Sequence, residues 1–500
     1  MRPSEILAHI GETLEEQENF VLLWKEAESA MPSDVPAFLQ DEQWQESMKY
    51  AGFDEAHVAE AAAMAETIRR DPCLVRLAWQ AYWRSYCSDS HALKNWPTLE
   101  PLLGDLSGLF YFLVGLGGVP LVRAHHRRLG IPEEVTRNTC QQIRVESVAF
   151  YAGQYSKFGV DYPQLEWLSH YTHEPYFRLG RLEFWLEPNK VCKARAFRHL
   201  RTGRTVALAL DKTPFSSDGS IFAEEKQPQW ISRYEETADA YIGNVITPYG
   251  IGTRWQVALP KADWKLALEP NDLCLTTHIP NGGGLTPQAC AESIRLAREF
   301  FPKHFPEAHP KALVSVSWLF NNQLHQVFPP DSNVVQFQRQ FYAVPQSSGP
   351  WNGLWFIFLR KGAPDFQSWP RKTTPQRLIL DFLSKGHHWR ESSMFLLWED
   401  MQHYGTSHYL SQWPYAELGG LTTCSVPAVS AACGNLRGYA PCSQDVGATA
   451  CPAPAASVAC ENLRGSRSQD VGATACPVPA TSAAGATTCS VPVASAAGDL

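Results

Sequence analysis

The sequence predicts an α+β protein: an all-α module at 1–173, a mixed α/β domain around one central sheet at 174–412, and a disordered tail at 413–500. Three observations carry that expectation. Apolar residues keep a helical period from Ser4 to about His173, then change to a two-residue period at Phe177. The later strand candidates are separated by helices, as in elements arranged around a sheet. After about Gly419 the composition falls to Ala, Ser, Thr, Pro, Val, Gly and Cys, and the chain repeats itself, with SQDVGATACP at Ser443 and again at Ser468. Such a segment cannot bury enough apolar surface to offset the entropy of ordering.

Taken in order, Ser4 is placed to cap a helix carrying Ile6, Leu7, Ile10 and Leu14, and further helices are expected over Asp54–Arg70 and Cys73–Tyr86. In the last, Leu74, Leu77, Ala81 and Tyr82 share one face. Ser107–Val122 is uncharged but shorter than the roughly 20 apolar residues of a spanning helix, and it reads as a buried helix. Gly130 ends it, and Pro132 opens another that runs to about Lys157. From Phe177 on, Gly180, Leu182, Phe184 and Leu186 alternate with Arg181, Glu183 and Trp185, as in a strand with one face on a core. Further strands are expected at Arg204–Leu210, Trp255–Leu259, Leu273–Pro280, Ala312–Phe320, Leu354–Leu359 and Met394–Trp398. Helices are expected at Thr286–Lys303, around Ser332–Phe341 and at Thr374–Ser384, the last capped by Thr374 and opened by Pro375.

Bulk properties bound the function. The 500 residues are 44% hydrophobic, ample for two cores. A net charge of −8 argues against binding nucleic acid through phosphate neutralisation. Cys73, Cys87, Cys140, Cys192, Cys274 and Cys290 are scattered singly, the pattern of reduced cytosolic thiols, and the acidic N-terminal stretch has no export segment, so a cytoplasmic protein is expected. The other seven cysteines, from Cys424 onwards, form no C-x-x-C pair. His170, His173 and Glu174 match no zinc signature, so no metal is expected.

The stretch with the most functional content is Leu273–Phe301. An apolar strand enters a capped amphipathic helix through Gly282, Gly283 and Gly284, with Thr286 as cap and Pro287 at the first helical position. Unpaired backbone N–H groups and the helix dipole there should attract an anion, most simply a phosphate. The plainer reading is a turn whose glycines only supply positive φ.

The residues FRLGRLEF at Phe177, GNVITPYG at Gly243, HIPNGGGLTPQAC at His278, SWLF at Ser317, DSNVVQFQRQF at Asp331, GLWFIF at Gly353 and MFLLWEDM at Met394 resemble a bacterial family of predicted acyltransferases. That family pairs a helical N-acyltransferase N-terminal domain with a GNAT-like C-terminal domain, and the resemblance covers about Ile6–Leu410. It implies acyl-CoA as co-substrate, acetyl-CoA for example, with its diphosphate on Asn281, Gly282, Gly283, Gly284, Leu285 and Thr286. The usual loop pattern Q/R-x-x-G-x-G/A is kept at both glycines, while Ile279 replaces Gln or Arg. A helix at Thr374 stands where a GNAT fold has a hairpin.

Amide formation from a thioester needs a group to take the amine proton. His278 ends the strand beside the glycines and is the candidate base, or else a strand-end histidine bonded to backbone. Ser317 and Trp318, on the next strand, are candidates to line the same cleft, and Tyr342 is a candidate acid, though an aromatic there is more often core. Asp331, Ser332 and Asn333 are candidate substrate contacts or a helix cap. The leading expectation is an acyl-CoA-dependent acyltransferase acting on an amine of a small molecule. The alternative is a non-catalytic binding protein that senses a small anionic or acylated ligand. Nucleic-acid partners and an integral membrane segment are not expected.

Overall fold

The computed structural model describes residues 2–411 and 413, apart from 13–17, 22, 89–92, 94, 95, 98 and 223–227. The repeat tail and its cysteines lie outside the described residues.

The first 173 residues are helical among those described. Besides three short helices at Glu18–Val21, Trp24–Ser29 and Glu100–Leu103, they form α1 (Pro3–His9), α2 (Asp41–Tyr50), α3 (Val58–Arg70), α4 (Pro72–Tyr86), α5 (Ser107–Leu116), α6 (Gly118–Arg128), α7 (Glu133–Cys140), α8 (Ala149–Tyr155) and α9 (Tyr162–His173). A π-helical turn at Ile143–Val148 interrupts the helix expected to run from Pro132 to Lys157. Local chemistry sets several starts. Asp71 caps α4 by accepting from the N–H of Cys73 at 2.8 Å, with Pro72 next in line. Ser4 is not the cap of α1: the chain enters helix at Pro3, and Glu5 reaches back to the Arg2 N–H at 2.8 Å. Every residue of α5 is buried, as expected of an apolar segment with no polar face. By length and composition Glu100–Arg128 could cross a membrane, and 72% of its most apolar window is covered by the protein itself.

At Tyr176 the chain turns to strands. The expected single strand from Phe177 is a hairpin, β1 (Tyr176–Leu179) and β2 (Leu182–Pro188), with Leu179 paired to Leu182. Gly180 makes the turn at φ +71°, a region open to glycine and costly for residues with a Cβ. A second, antiparallel sheet follows: β3 (Ala194–His199), β4 (Thr205–Ala209), β5 (Ala240–Thr247), β6 (Ile251–Pro260) and β7 (Trp264–Leu268), in the order β6-β5-β4-β3-β7. The first sheet then resumes with β8 (Leu273–His278), α10 (Pro287–His304), β9 (Ala312–Ser317), α11 (Asn333–Gln338), β10 (Tyr342–Pro345), α12 (Leu354–Phe358), α13 (Thr374–Leu383) and β11 (Ser392–Leu397). Its order is β1-β2-β8-β9-β11-β10, and β8 and β9, joined by α10, run parallel.

Two expectations shift here. Leu354–Leu359 is not a strand: Leu354, Ile357 and Phe358 are its buried residues, a three-and-four spacing that only a helix can turn to one side. The aromatic-rich composition disguised that period. The cap of α13 is Thr373 rather than Thr374; its hydroxyl accepts from Gln376 N–H, and the Gln376 side chain answers as a capping box.

Packing gives the mixed sheet two covered faces. Cys290, Ile294, Ala297 and Phe301 of α10 share a core with Phe177, Leu182 and Phe184. On the other face Tyr176 and Trp185 stack at 4.5 Å and join the helical core, where Tyr171 of α9 meets Tyr176 at 4.4 Å. The two sheets are tied by Tyr342, whose hydroxyl donates to Ile246 O on β5 and accepts the N–H of Ala207 on β4 at 3.1 Å. Tyr342→Phe removes that group and leaves two buried backbone groups unmatched. It should lower stability by about 1–3 kcal/mol in denaturant titration while the fold persists.

Candidate active site

His278 is the last residue of β8, and the antiparallel register with β2 sets it directly opposite Glu183. Nδ1 lies 2.7 Å from Glu183 Oε2, and an ionised carboxylate only accepts, so Nδ1 carries the hydrogen. The same oxygen accepts from the Tyr171 hydroxyl of α9 at 2.8 Å. On the far side of the ring, Nε2 stands 3.5 Å from Glu146 Oε1, an ion-pair distance too long for a good hydrogen bond. Glu146 rides on the π-helical turn, and its other oxygen accepts from the Gln142 amide. The Trp167 ring meets the imidazole edge-on at 4.7 Å.

This cluster is sealed: the side chains of His278 and Glu183 are 0% exposed and that of Glu146 is 2% exposed. Burial alone would hold the imidazole neutral. Glu146 and Glu183 outweigh it and raise the pKa of His278 to about 9. The ring is therefore an imidazolium at neutral pH, oriented by Glu183, and becomes a proton acceptor at Nε2 only when it gives up that proton.

Beyond His278 the chain runs through Ile279 and Pro280 into the glycine corner. Gly282 and Gly283 are exposed and take φ of +84° and +75°. Thr286 caps α10 by accepting the Ala289 N–H at 3.3 Å, with Pro287 behind it, and the buried Leu285 anchors the loop. Arg181, at the tip of the β1–β2 hairpin, lies under the corner and is 9% exposed. Nη1 donates to Pro280 O at 2.8 Å, and Nε donates to Gly283 O at 3.1 Å and Gly284 O at 3.3 Å. Burial lowers its pKa to about 10, which leaves it charged at neutral pH. The N–H groups of Asn281, Gly284 and Leu285 meet no acceptor among the described residues.

The parallel ladder of β8 and β9 is short, pairing only Leu275 with Leu313 and Thr276 with Val314. Past it, the Ser315 hydroxyl donates to Thr277 O at 2.8 Å. Both strands end at the edge that holds His278 and the glycine corner. Ser317 ends β9 at that edge; its hydroxyl accepts the Leu319 N–H at 3.1 Å, and Trp318 is wholly buried against Trp389.

Other sequence candidates are placed elsewhere. Tyr342 on β10 is separated from β8 by β9 and β11, about 14 Å at roughly 4.8 Å per strand. Ser332 is the N-cap residue of α11 without a side-chain cap bond, its hydroxyl donating to Pro329 O at 2.7 Å. No hydrogen bond or ion pair among the described residues links Asp331, Ser332 or Asn333 to His278 or the corner. His170 pairs with Glu174 at 3.0 Å, while His173 turns back to Ser169 O at 2.9 Å. The donor atoms of His9, Asp71 and Cys73 lie within 4.8 Å of one another and are the one group among the described residues with metal-ligand proximity; there Asp71 already caps α4.

Sequence reasoning missed Glu146, Tyr171, Trp167, Glu183 and Arg181. A signal for the last two was available: charged residues at alternate positions of a strand whose other positions are apolar, in a segment that proves buried on both faces.

Comparison with known proteins agrees with this architecture. A family model of an N-acyltransferase N-terminal domain matches residues 42–173, and one of a GNAT-like C-terminal domain matches 176–396. Among solved structures, an acyltransferase in complex with decanoyl-CoA and teicoplanin is 22% identical with a TM-score of 0.54, covering 79% of this chain and 99% of its own. An acyltransferase mutant in complex with octanoyl-CoA and an acyltransferase in complex with CoA and 10C-teicoplanin each give 22% identity, the same coverages and a TM-score of 0.53. No curated protein matched. The chain thus carries an N-acyltransferase N-terminal domain followed by a GNAT-like C-terminal domain.

Proposed function

We propose that the protein transfers an acyl group from acyl-CoA to an amine of a small-molecule acceptor. The observation that carries this reading is the strand β8, which ends in a carboxylate-oriented imidazole and runs directly into a loop of unmatched N–H groups. Structures of the same fold hold CoA or acyl-CoA, and two of them also hold teicoplanin or 10C-teicoplanin.

In this scheme Asn281–Thr286 take the diphosphate on backbone N–H groups at the N-terminus of α10. The thioester is placed at the sheet edge where β8 and β9 end, beside Ser317. The amine nitrogen attacks the thioester carbon, the C–N bond forms, and the amine proton passes to Nε2 of neutral His278. Glu183 stabilises the resulting imidazolium. The C–S bond then breaks, and the CoA thiolate takes the proton back. The sealed state of His278 requires Trp167 or the Glu146 turn to give way before an acceptor reaches it.

Incubating the full chain with acetyl-CoA to decanoyl-CoA and a panel of primary amines, and following thiol release, should show turnover. His278→Gln should lower kcat by about 10²- to 10⁴-fold while CoA binding persists. A rise in melting temperature with CoA but no turnover on any amine would favour the ligand-sensing alternative, and no binding of any CoA compound would remove both readings. Because the imidazole must lose its proton to act as base, kcat/KM should rise with pH and level off above about 9. Stability follows the opposite direction. A pKa raised from the ordinary 6.5 contributes stability that is fully present below about 6.5 and is lost as pH rises through about 9, so the melting-temperature gap between the native chain and His278→Gln should narrow across that window.

A further inference from the structure

We infer that Arg181 is the positioning residue of the acyl-CoA seat, an assignment that rests on the acyl-CoA reading above. Its side chain touches no reacting atom in that scheme. It acts through the backbone of the loop.

The argument is geometric. In a planar trans peptide the C=O of one residue and the N–H of the next point in opposite directions. Arg181 draws Pro280 O, Gly283 O and Gly284 O inward. The N–H groups of the same three peptides belong to Asn281, Gly284 and Leu285, and they are thereby turned away from the guanidinium toward the open side of the corner. None of the three meets an acceptor among the described residues, and neither do the N–H groups of Gly283 and Thr286 beside them. Gly282 and Gly283, at positive φ, let the loop adopt that arrangement, and the guanidinium adds a fixed positive charge behind it.

The placement of Arg181 is itself set by register. Glu183 stands opposite His278 across β2 and β8, and the same alignment continued by two residues puts Arg181 opposite Pro280. One hairpin therefore orients both the imidazole and the diphosphate seat.

The test uses the full chain and CoA itself as probe, with binding followed by calorimetry and turnover followed by thiol release. Arg181→Met should raise the Kd for CoA and the KM for acyl-CoA by about tenfold or more, with kcat at saturation within about threefold of the native value. A general loss of structure would depress kcat as well, and that outcome overturns the assignment, as does an unchanged Kd. Should Arg181→Met fail to fold, Arg181→Lys keeps a buried cation but has a single ammonium that cannot span three carbonyls. It should still bind CoA several-fold more weakly, and full affinity in that variant overturns the role in loop orientation. If the native chain itself binds no CoA, the acyl-CoA reading fails, a result distinct from a native chain that binds CoA while its variants bind equally well.

Discussion

The alignment of β2 on β8 is the constraint on which the rest depends. Side chains alternate along a strand, so a slip of one residue would turn Glu183 away from His278 and Arg181 away from Pro280. Three features resist that slip. The two-residue turn at Gly180 and Arg181 fixes how β1 meets β2. Ser293, wholly buried on α10, accepts the N–H of Arg181 at 2.7 Å and that of Leu182 at 3.1 Å. A side chain at Gly180 would approach the Ser293 hydroxyl to 2.9 Å, so the hairpin tip and α10 fit only with glycine there. The helix that begins at the glycine corner thus pins the hairpin that supports the corner from below.

Around that alignment the protein buries Glu146, Glu183, His278 and Arg181, an arrangement that stability alone would not select. Removing charges from water costs several kcal/mol per ion, and apolar replacements of similar volume are often neutral or stabilising. The groups offset one another only because they come from both halves of the chain. Glu146, Trp167 and Tyr171 are helical-module residues, whereas Glu183, His278 and Arg181 belong to the mixed sheet. The π-helical turn matters here: one extra residue per turn is uncommon in helices and recurs at functional sites, and in this chain it carries the carboxylate that faces Nε2. Neither half would present this site without the other.

What the sequence makes legible follows from range. The period change near Tyr176, the capped helix after the glycines, the buried apolar α5 and the strand-end position of His278 are local patterns, and the structure reproduces each. Leu354–Phe358 is ambiguous in the sequence because five apolar residues in a row hold both periods, and only burial decides between them. The partners of His278 lay further out of reach: Glu183 is 95 residues away in the chain, and nothing in its neighbourhood states which strand will lie beside it. The same holds for Tyr342, whose hydroxyl looks like a proton donor until β4 and β5 are seen to claim it.

The corner also explains a departure from the loop pattern that the family resemblance leads one to expect. That pattern has Gln or Arg at the position of Ile279, and on sequence alone its loss reads as a missing donor. In the structure Ile279 is fully buried in the main core, where a charged side chain would have to be desolvated without compensation. The guanidinium arrives instead from the neighbouring strand, across the hairpin, and donates to three carbonyls of the same loop. A donor 99 residues away in the chain, yet adjacent in space, does for the loop what a residue within it would do. It also ties the loop to the hairpin that carries Glu183, two residues further along the chain. An isoleucine at 279 therefore moves the cation and does not abolish it, and the positive charge at the corner survives in a place where a linear motif cannot register it.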